Sequence, residues 1–288
     1  MQIISAKNLF LWEQKQLSKG SDIQSLCLLL DIVGGISHEK LHSARLNQKS
    51  NLYLNTNLAL IESIWNEHIF NFVPIQYLCG FTYWRNLKLM VSRGVLIPRP
   101  ETELIIDIIL QKFEKNTKKL FVELGTGSGA ISISLALEKP LWKGIATDID
   151  KNALKIATNN FQRSSNKSNL QFCYGHWFNP LEHLKGKIDL IISNPPYIPK
   201  DIFKKLPKAV KNFEPEIALI GGDDGLEHIR EIVEYAPFYL KKQGWLIIEN
   251  HFDQGIEVKQ LFLENKFSSV EVLKDYSGIG RFTIGRYK

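Results

Sequence analysis

Cysteine is scarce in this chain of 288 residues: three occur, Cys27, Cys79 and Cys173, widely spaced and with no Cys-x-x-Cys pair. An odd number at such spacing argues against a disulfide framework and a cysteine zinc site, and it fits a reducing compartment. Long hydrophobic runs are missing as well. Stretches such as Leu26–Leu30 fall far short of the roughly 20 apolar residues that span a bilayer. The first 16 residues lack the basic-then-apolar order of a secretory signal. A cytoplasmic protein without a membrane partner is therefore expected. Low-complexity segments and internal repeats are absent too. Charge of one sign is in modest excess, 36 Lys and Arg against 30 Asp and Glu, for a net +6. That balance favours acidic partners without choosing between nucleic acid and protein.

What is present suffices for a core. Hydrophobic residues make up 44% and charged residues 23%, ordinary values for a globular chain of one large domain or two moderate ones. Residues 1–72 read as helices. Ser21-Asp22-Ile23-Gln24 has the spacing of a capping box, an apolar run follows to Val33, and Gly34-Gly35 supplies a stop. Leu58, Ile61, Ile64, Trp65 and Ile69 form a helical stripe from Asn57 to about Phe70. Residues 73–98 are aromatic and β-prone with turn signals between, which predicts a hairpin linker. Pro100 and the acids beside it open a helix to about Glu114.

From about Lys119 onward the pattern alternates. Strands are predicted at Leu120–Leu124, Gly144–Asp148, Leu170–Tyr174, Ile188–Ser193 and Gly244–Glu249. Helices are predicted to about Leu137, at Asn152–Phe161 and at Gly225–Leu240. Ser269–Leu273 and Arg281–Arg286 read as a closing antiparallel edge hairpin. Such alternation means a doubly wound α/β sheet over 99–288.

Two segments carry chemistry. Glu123-Leu-Gly125-Thr126-Gly127-Ser128-Gly129-Ala130 joins the first predicted strand to its helix. Glycines there let a ligand lie against bare backbone, and the helix N-terminus offers free N–H groups. Asp148 ends the next strand, where a carboxylate can accept the ribose hydroxyls of an adenosine. Taken alone, this loop also satisfies the dinucleotide fingerprint and cannot choose NAD from S-adenosylmethionine.

The second segment, Asn194-Pro195-Pro196-Tyr197, follows the fourth predicted strand. Strand ends line the ligand crevice of an open α/β sheet. Two prolines stiffen the tetrapeptide. The Asn194 side-chain oxygen and the Pro195 carbonyl could hold both N–H bonds of a planar NH₂ group, and Tyr197 offers a ring to stack on. An amide nitrogen is a poor nucleophile because its lone pair is delocalised. Acceptors on both N–H groups return density to it, so alignment rather than a strong base would carry the reaction.

These motifs resemble those of the PrmC/HemK family, the protein-glutamine methyltransferases that modify peptide chain release factors. The resemblance rests on Val95–Glu103, Leu124–Ile131, Asn194–Ile198, Gly221–Leu226 and Gly280–Arg286, and it covers nearly the whole chain. It implies a class I S-adenosylmethionine-dependent methyltransferase, α/β and Rossmann-like, whose seven-stranded sheet carries an antiparallel edge hairpin. A small helical N-terminal domain for substrate recognition (1–72) and the hairpin linker (73–98) would precede it.

By position, Glu123, Gly125, Thr126, Gly127, Ser128 and Gly129 would hold the methionine part of the cofactor, with Asn194 nearby. Asp148 would take the ribose and Trp177 the adenosine. Asn194, Pro195, Pro196 and Tyr197 would grip the glutamine of the Gly-Gly-Gln loop of class 1 release factors, with Asn194, Pro195 and Tyr197 as catalytic residues. A monomer with a protein substrate, no direct nucleic acid and no metal is expected.

Two departures stand out. His176 occupies a position where the family commonly has an acid, and Thr82-Tyr83-Trp84 replaces Glu-Phe-Trp in the hairpin. The second reads as a packing change. A ligand role for His176 is not expected, since a lone strand-end histidine is usually polar surface. Other classes remain to be separated: a ribosomal-protein glutamine methyltransferase, a DNA adenine methyltransferase, an NAD-dependent oxidoreductase and a non-catalytic binding module. Lys200, Lys204, Lys205, Lys208 and Lys211 read either as a solvated face or as a docking surface for acidic protein.

Overall fold

The computed structural model describes residues 2–114, 116–164 and 169–288. The chain divides into two compact units, Met1–Thr82 with Pro207–Phe213, and Tyr83–Leu206 with Glu214–Lys288. Among the described residues no helix is long and apolar enough to cross a membrane.

The first unit runs through strand β1 (Gln2–Ser5), helices α1 (Ala6–Leu17), α2 (Ile23–Ile32) and α3 (His38–Leu46), strand β2 (Asn51–Leu54), and helices α4 (Leu58–Asn71) and α5 (Ile75–Cys79). Its helices bury Leu9, Leu26, Leu29, Leu30, Ile61 and Trp65 in one core. Helices α1 to α4 each start on a side-chain acceptor: Ser5, Asp22, Ser37 and Asn57. Two details differ from the sequence reading. Ser21 sits at φ 70°, so α2 starts a residue later and Asp22 Oδ1 caps it by accepting from the Ser25 N–H at 2.9 Å. The region is also not wholly helical, because β1 and β2 pair antiparallel with Gln2 opposite Leu54. Alternate residues Leu52 and Leu54 face inward, a period of two too short to stand out among helices.

β3 (Phe81–Trp84) and β4 (Leu87–Met90) pair within the segment 73–98 read as a hairpin, whose start is instead the helix α5, and the unit boundary falls within β3. A 3₁₀ turn, Pro100–Glu103, leads into α6 (Leu104–Lys112). Then come β5 (Leu120–Leu124), α7 (Ala130–Glu138), β6 (Lys143–Asp148), α8 (Lys151–Ser164), β7 (Leu170–Tyr174) and β8 (Ile188–Ser193). Short helices α9 (Lys200–Phe203) and α10 (Lys208–Lys211) follow, the latter belonging to the first unit. The chain ends with α11 (Glu227–Tyr239), β9 (Leu240–Glu249), α12 (Gly255–Glu264), β10 (Phe267–Lys274) and β11 (Gly280–Tyr287).

Among the described residues seven strands form one sheet in the order β10-β11-β9-β8-β5-β6-β7. Strands β5 to β9 run parallel, and β11 lies antiparallel between β9 and β10. Successive residues of the central strands feed opposite cores. Val122, Ile191, Leu246 and Ile248 pack with Ile229, Ile232 and Val233 of α11 and with Phe262 of α12. Phe121, Leu190, Ile192 and Ile247 pack with Ile105 and Ile109 of α6 and with Ile131 and Leu135 of α7. Cover on both faces explains why β8 is almost wholly apolar. From β5 the chain winds outward to β6 and β7, then crosses back to β8 and β9. The switch point therefore lies between β5 and β8, and a crevice opens beyond their C-terminal ends.

Candidate active site

The loop after β5 is built by hydrogen bonds to its neighbours. The N–H groups of Gly125 and Thr126 both donate to the Thr147 carbonyl, at 2.9 and 3.0 Å. The Gly127 N–H donates to Asp148 Oδ2 at 2.8 Å, and Asp150 N–H donates to Oδ1 at 2.9 Å. Gly125 and Gly127 stand at φ 73° and 56°, in the left-handed region that favours glycine. A Cβ on Gly125 would lie 3.1 Å from the Trp177 ring, whereas Gly127 has nothing within 4 Å of that position. The backbone is therefore bare toward the cleft. Gly129 serves differently: a Cβ there would meet Ile133 and Ala157, so this glycine lets α7 and α8 pack closely.

Glu123, buried at the end of β5, holds the loop from below. Its Oε2 accepts from the Thr126 hydroxyl at 2.6 Å and from the Ser132 N–H at 3.0 Å. Burial raises its carboxyl to about 7 against these lowering bonds. Burial also pushes Asp148 upward, opposed by the Asp150 and Gly127 N–H groups.

The segment after β8 is fixed on both flanks. Ser193 Oγ donates to the Leu124 carbonyl at 2.8 Å, tying β8 to β5. Asn194 Nδ2 donates to Thr102 Oγ1 at 3.3 Å. The Tyr197 hydroxyl donates to Glu249 Oε1 at 3.3 Å. Thr102 thus holds the asparagine end of the tetrapeptide and the buried Glu249 carboxyl its tyrosine end. Burial raises Glu249 to about 7, and burial also lifts Tyr197 far above the ordinary tyrosine range, with Glu249 next in effect.

On the other flank, Gly221 lies against this corner. A Cβ on Gly221 would stand 2.6 Å from the Pro196 carbonyl and 2.8 Å from Tyr197 Cα, and one on Gly225 would stand 2.4 Å from the Tyr197 carbonyl. The Gly221–Leu226 motif thus exists to let two stretches of backbone touch.

The resulting cleft encloses about 930 Å³, open mouth included, within the range of small-molecule sites. Glu123, Gly125, Thr126, Gly127, Ser128, Asp148, Trp177, Asn194 and Pro196 line it. Pro195 is buried, and Tyr197 turns its hydroxyl to Glu249 instead of lining the cleft. Trp177 sits at φ 40° with its carbonyl held by Thr147 Oγ1 at 3.1 Å.

Sequence reasoning missed the rest of the wall. Trp84 is buried and donates to Ser134 Oγ at 2.8 Å. Arg99 Nη2 bonds both oxygens of the nearly inaccessible Glu214 carboxylate, at 2.7 and 2.8 Å. That pair fixes the Pro98–Arg99 and Pro215–Ala218 walls together. Only the quoted Val95–Glu103 motif hinted at these positions. Among the lysines after the tetrapeptide, Lys200 pairs with Asp223 and Lys204 with Asp201, each at 2.8 Å.

A seven-stranded, doubly wound sheet with a bare glycine loop, a strand-end acid and a rigid Asn-Pro-Pro-Tyr corner across the switch point defines a class I methyltransferase. Residues 104–211 match the methyltransferase small domain. The fold is shared with a methyltransferase from Pyrococcus furiosus (21% identity, 70% of this chain and 89% of that one, TM-score 0.52). It is also shared with the catalytic domain of hMettl16 (15% identity, 75% and 81%, TM-score 0.58). More specific are relatives named release factor glutamine methyltransferase. That of Prochlorococcus marinus is 38% identical over 280 residues, 96% of each chain. That of Thermosynechococcus vestitus is 39% identical over 237 residues, 82% of this chain and 81% of its own. The chain belongs to the release factor glutamine methyltransferase family.

Proposed function

We propose that this enzyme methylates the side-chain amide nitrogen of the glutamine in the Gly-Gly-Gln loop of class 1 peptide chain release factors, with S-adenosylmethionine as donor. The observation that carries this reading is the Asn194 amide, pinned through Nδ2 to Thr102 at the mouth of the cleft that the glycine loop lines. With its NH₂ group engaged, the Oδ1 atom is the one left to accept a substrate N–H.

S-adenosylmethionine supplies a methyl group activated on a sulfonium. The residues of the cleft fit it: the bare backbone at Gly125 and Gly127 leaves room for the methionine portion, alongside Thr126 and Ser128. Asp148 would accept ribose hydroxyls, and the Trp177 ring would offer a flat face to the adenine. Glu123 and Gly129 support the loop from behind.

The Asn194 Oδ1 and the Pro195 carbonyl take the two N–H bonds of the glutamine amide, which favours a pyramidal nitrogen. Prolines 195 and 196 keep these acceptors from relaxing away, so the geometry is fixed in advance. Tyr197 fixes the corner through Glu249. The corner holds no strong base, in keeping with catalysis by alignment and charge placement. The first unit, with the hairpin as linker, is assigned to recognition of the release factor, in the cytoplasm where that factor acts, and the enzyme to working as a monomer.

The test is transfer of a labelled methyl from S-adenosylmethionine to purified release factor. Label should enter the intact protein and be lost when the loop glutamine is replaced by alanine. Equal labelling of both forms would refute the assignment.

A further inference from the structure

We propose that His176, His228 and Glu231 form a three-donor site for one zinc ion, which clamps the segment bearing Trp177 to helix α11. The three residues offer one donor atom each, all within 4.8 Å of one another. They reach the same point from different elements: His176 follows β7, while His228 and Glu231 lie three residues apart on α11 and so share a face. His176 Nδ1 stands 3.3 Å from Glu231 Oε1, and both side chains are a little over one-third exposed, at 36% and 38%. Zinc bonds of about 2.0–2.1 Å put tetrahedral donors about 3.4 Å apart. Small side-chain rotations of these two half-exposed residues close the remaining gap.

The second observation concerns His228. Its Nδ1 is buried and has no hydrogen-bond partner among the described residues. A buried, unpartnered imidazole nitrogen calls for an explanation. Two imidazoles and one carboxylate are a donor set that zinc accepts, with a fourth position left for water.

The site would act on the cofactor wall. His176 and Trp177 line the cleft, and the Trp177 ring makes an edge contact with His228, centroids 5.6 Å apart. Fixing His176 to α11 would hold Trp177 in its left-handed conformation. Zinc and cofactor should therefore each tighten the other's binding, because coupling between two sites is reciprocal.

The experiment is a calorimetric titration of the chelator-treated full chain with Zn²⁺, repeated for His228→Ala and Glu231→Gln, with melting curves of each. The expected result is one ion per chain, an increase in melting temperature on adding Zn²⁺, and affinity lowered at least about 10-fold in each variant. Glu231 is partly exposed, so its replacement should leave the fold intact and keeps the test decisive if His228→Ala misfolds. No saturable binding, or binding unchanged in Glu231→Gln, would overturn the proposal.

Discussion

Replacing Gly221 by alanine probes the stiffness of the Asn194–Tyr197 corner without replacing any residue assigned to bind substrate or cofactor. A Cβ at this position would stand 2.6 Å from the Pro196 carbonyl oxygen, 2.6 Å from the Gly225 carbonyl oxygen and 2.8 Å from Tyr197 Cα. Ordinary contact begins near 3.4 Å, so one backbone stretch must move by about 0.8 Å, and every obstructing atom is itself backbone. Gly221 is not in the left-handed region, so its own conformation suits alanine and the whole effect is contact. Overpacking of this kind costs about 1–3 kcal/mol of stability. Misplacing aligned groups by about 1 Å costs roughly 100-fold in rate, so kcat should fall by about 10- to 100-fold. Equilibrium binding of S-adenosylmethionine should stay near that of the unaltered protein, because the glycine loop is untouched. The assays are methyl transfer at saturating cofactor, cofactor titration and a melting curve to show the variant folded. A folded variant with unchanged kcat would refute the claim that this backbone contact fixes the reactive geometry.

Thr102→Val keeps the shape of the side chain but removes the group that accepts from Asn194. The loss of one hydrogen bond, about 1–1.5 kcal/mol, should lower kcat about 10-fold, and Thr102→Ser should restore most of it; steady-state kinetics of both variants will tell. Glu123 gives a pH signature. Its carboxyl lies at about 7 in the folded protein, raised from 4.5 chiefly by burial, so the folded state holds the proton more tightly than the unfolded chain. Its contribution is fully present below about 4.5 and is lost as pH rises through about 7, a change of roughly 3 kcal/mol. Urea unfolding of the protein and of Glu123→Gln across that range should show their stability difference shifting against the unaltered protein as pH rises. Parallel curves would reject the assignment, since the contribution of Glu249 is common to both.

Much of the fold was legible because buried parallel strands read as apolar runs. β5, β7 and β8 begin and end at the residues read from the sequence. The cleft residues after β5, β6 and β8 were also legible, since the ends of parallel strands must face the crevice. What stayed hidden depends on pairs far apart in the chain. Thr102 and Glu249 are unremarkable letters until folding sets them against Asn194 and Tyr197. His176 reads as a lone surface histidine until α11 brings His228 and Glu231 beside it. β1 and β2 were concealed because each has four residues and is separated from its partner by helices α1 to α3. The excursion Pro207–Phe213, which belongs with the first unit, carries no local signal that it leaves the second.

The most direct measurement is the rate of methyl transfer to release factor by Asn194→Ala at saturating S-adenosylmethionine, beside that variant's affinity for the cofactor. Loss of one preorganised polar group should lower the rate by roughly 100- to 1,000-fold while the cofactor still binds. A variant that binds cofactor and transfers methyl as fast as the unaltered enzyme would contradict the account.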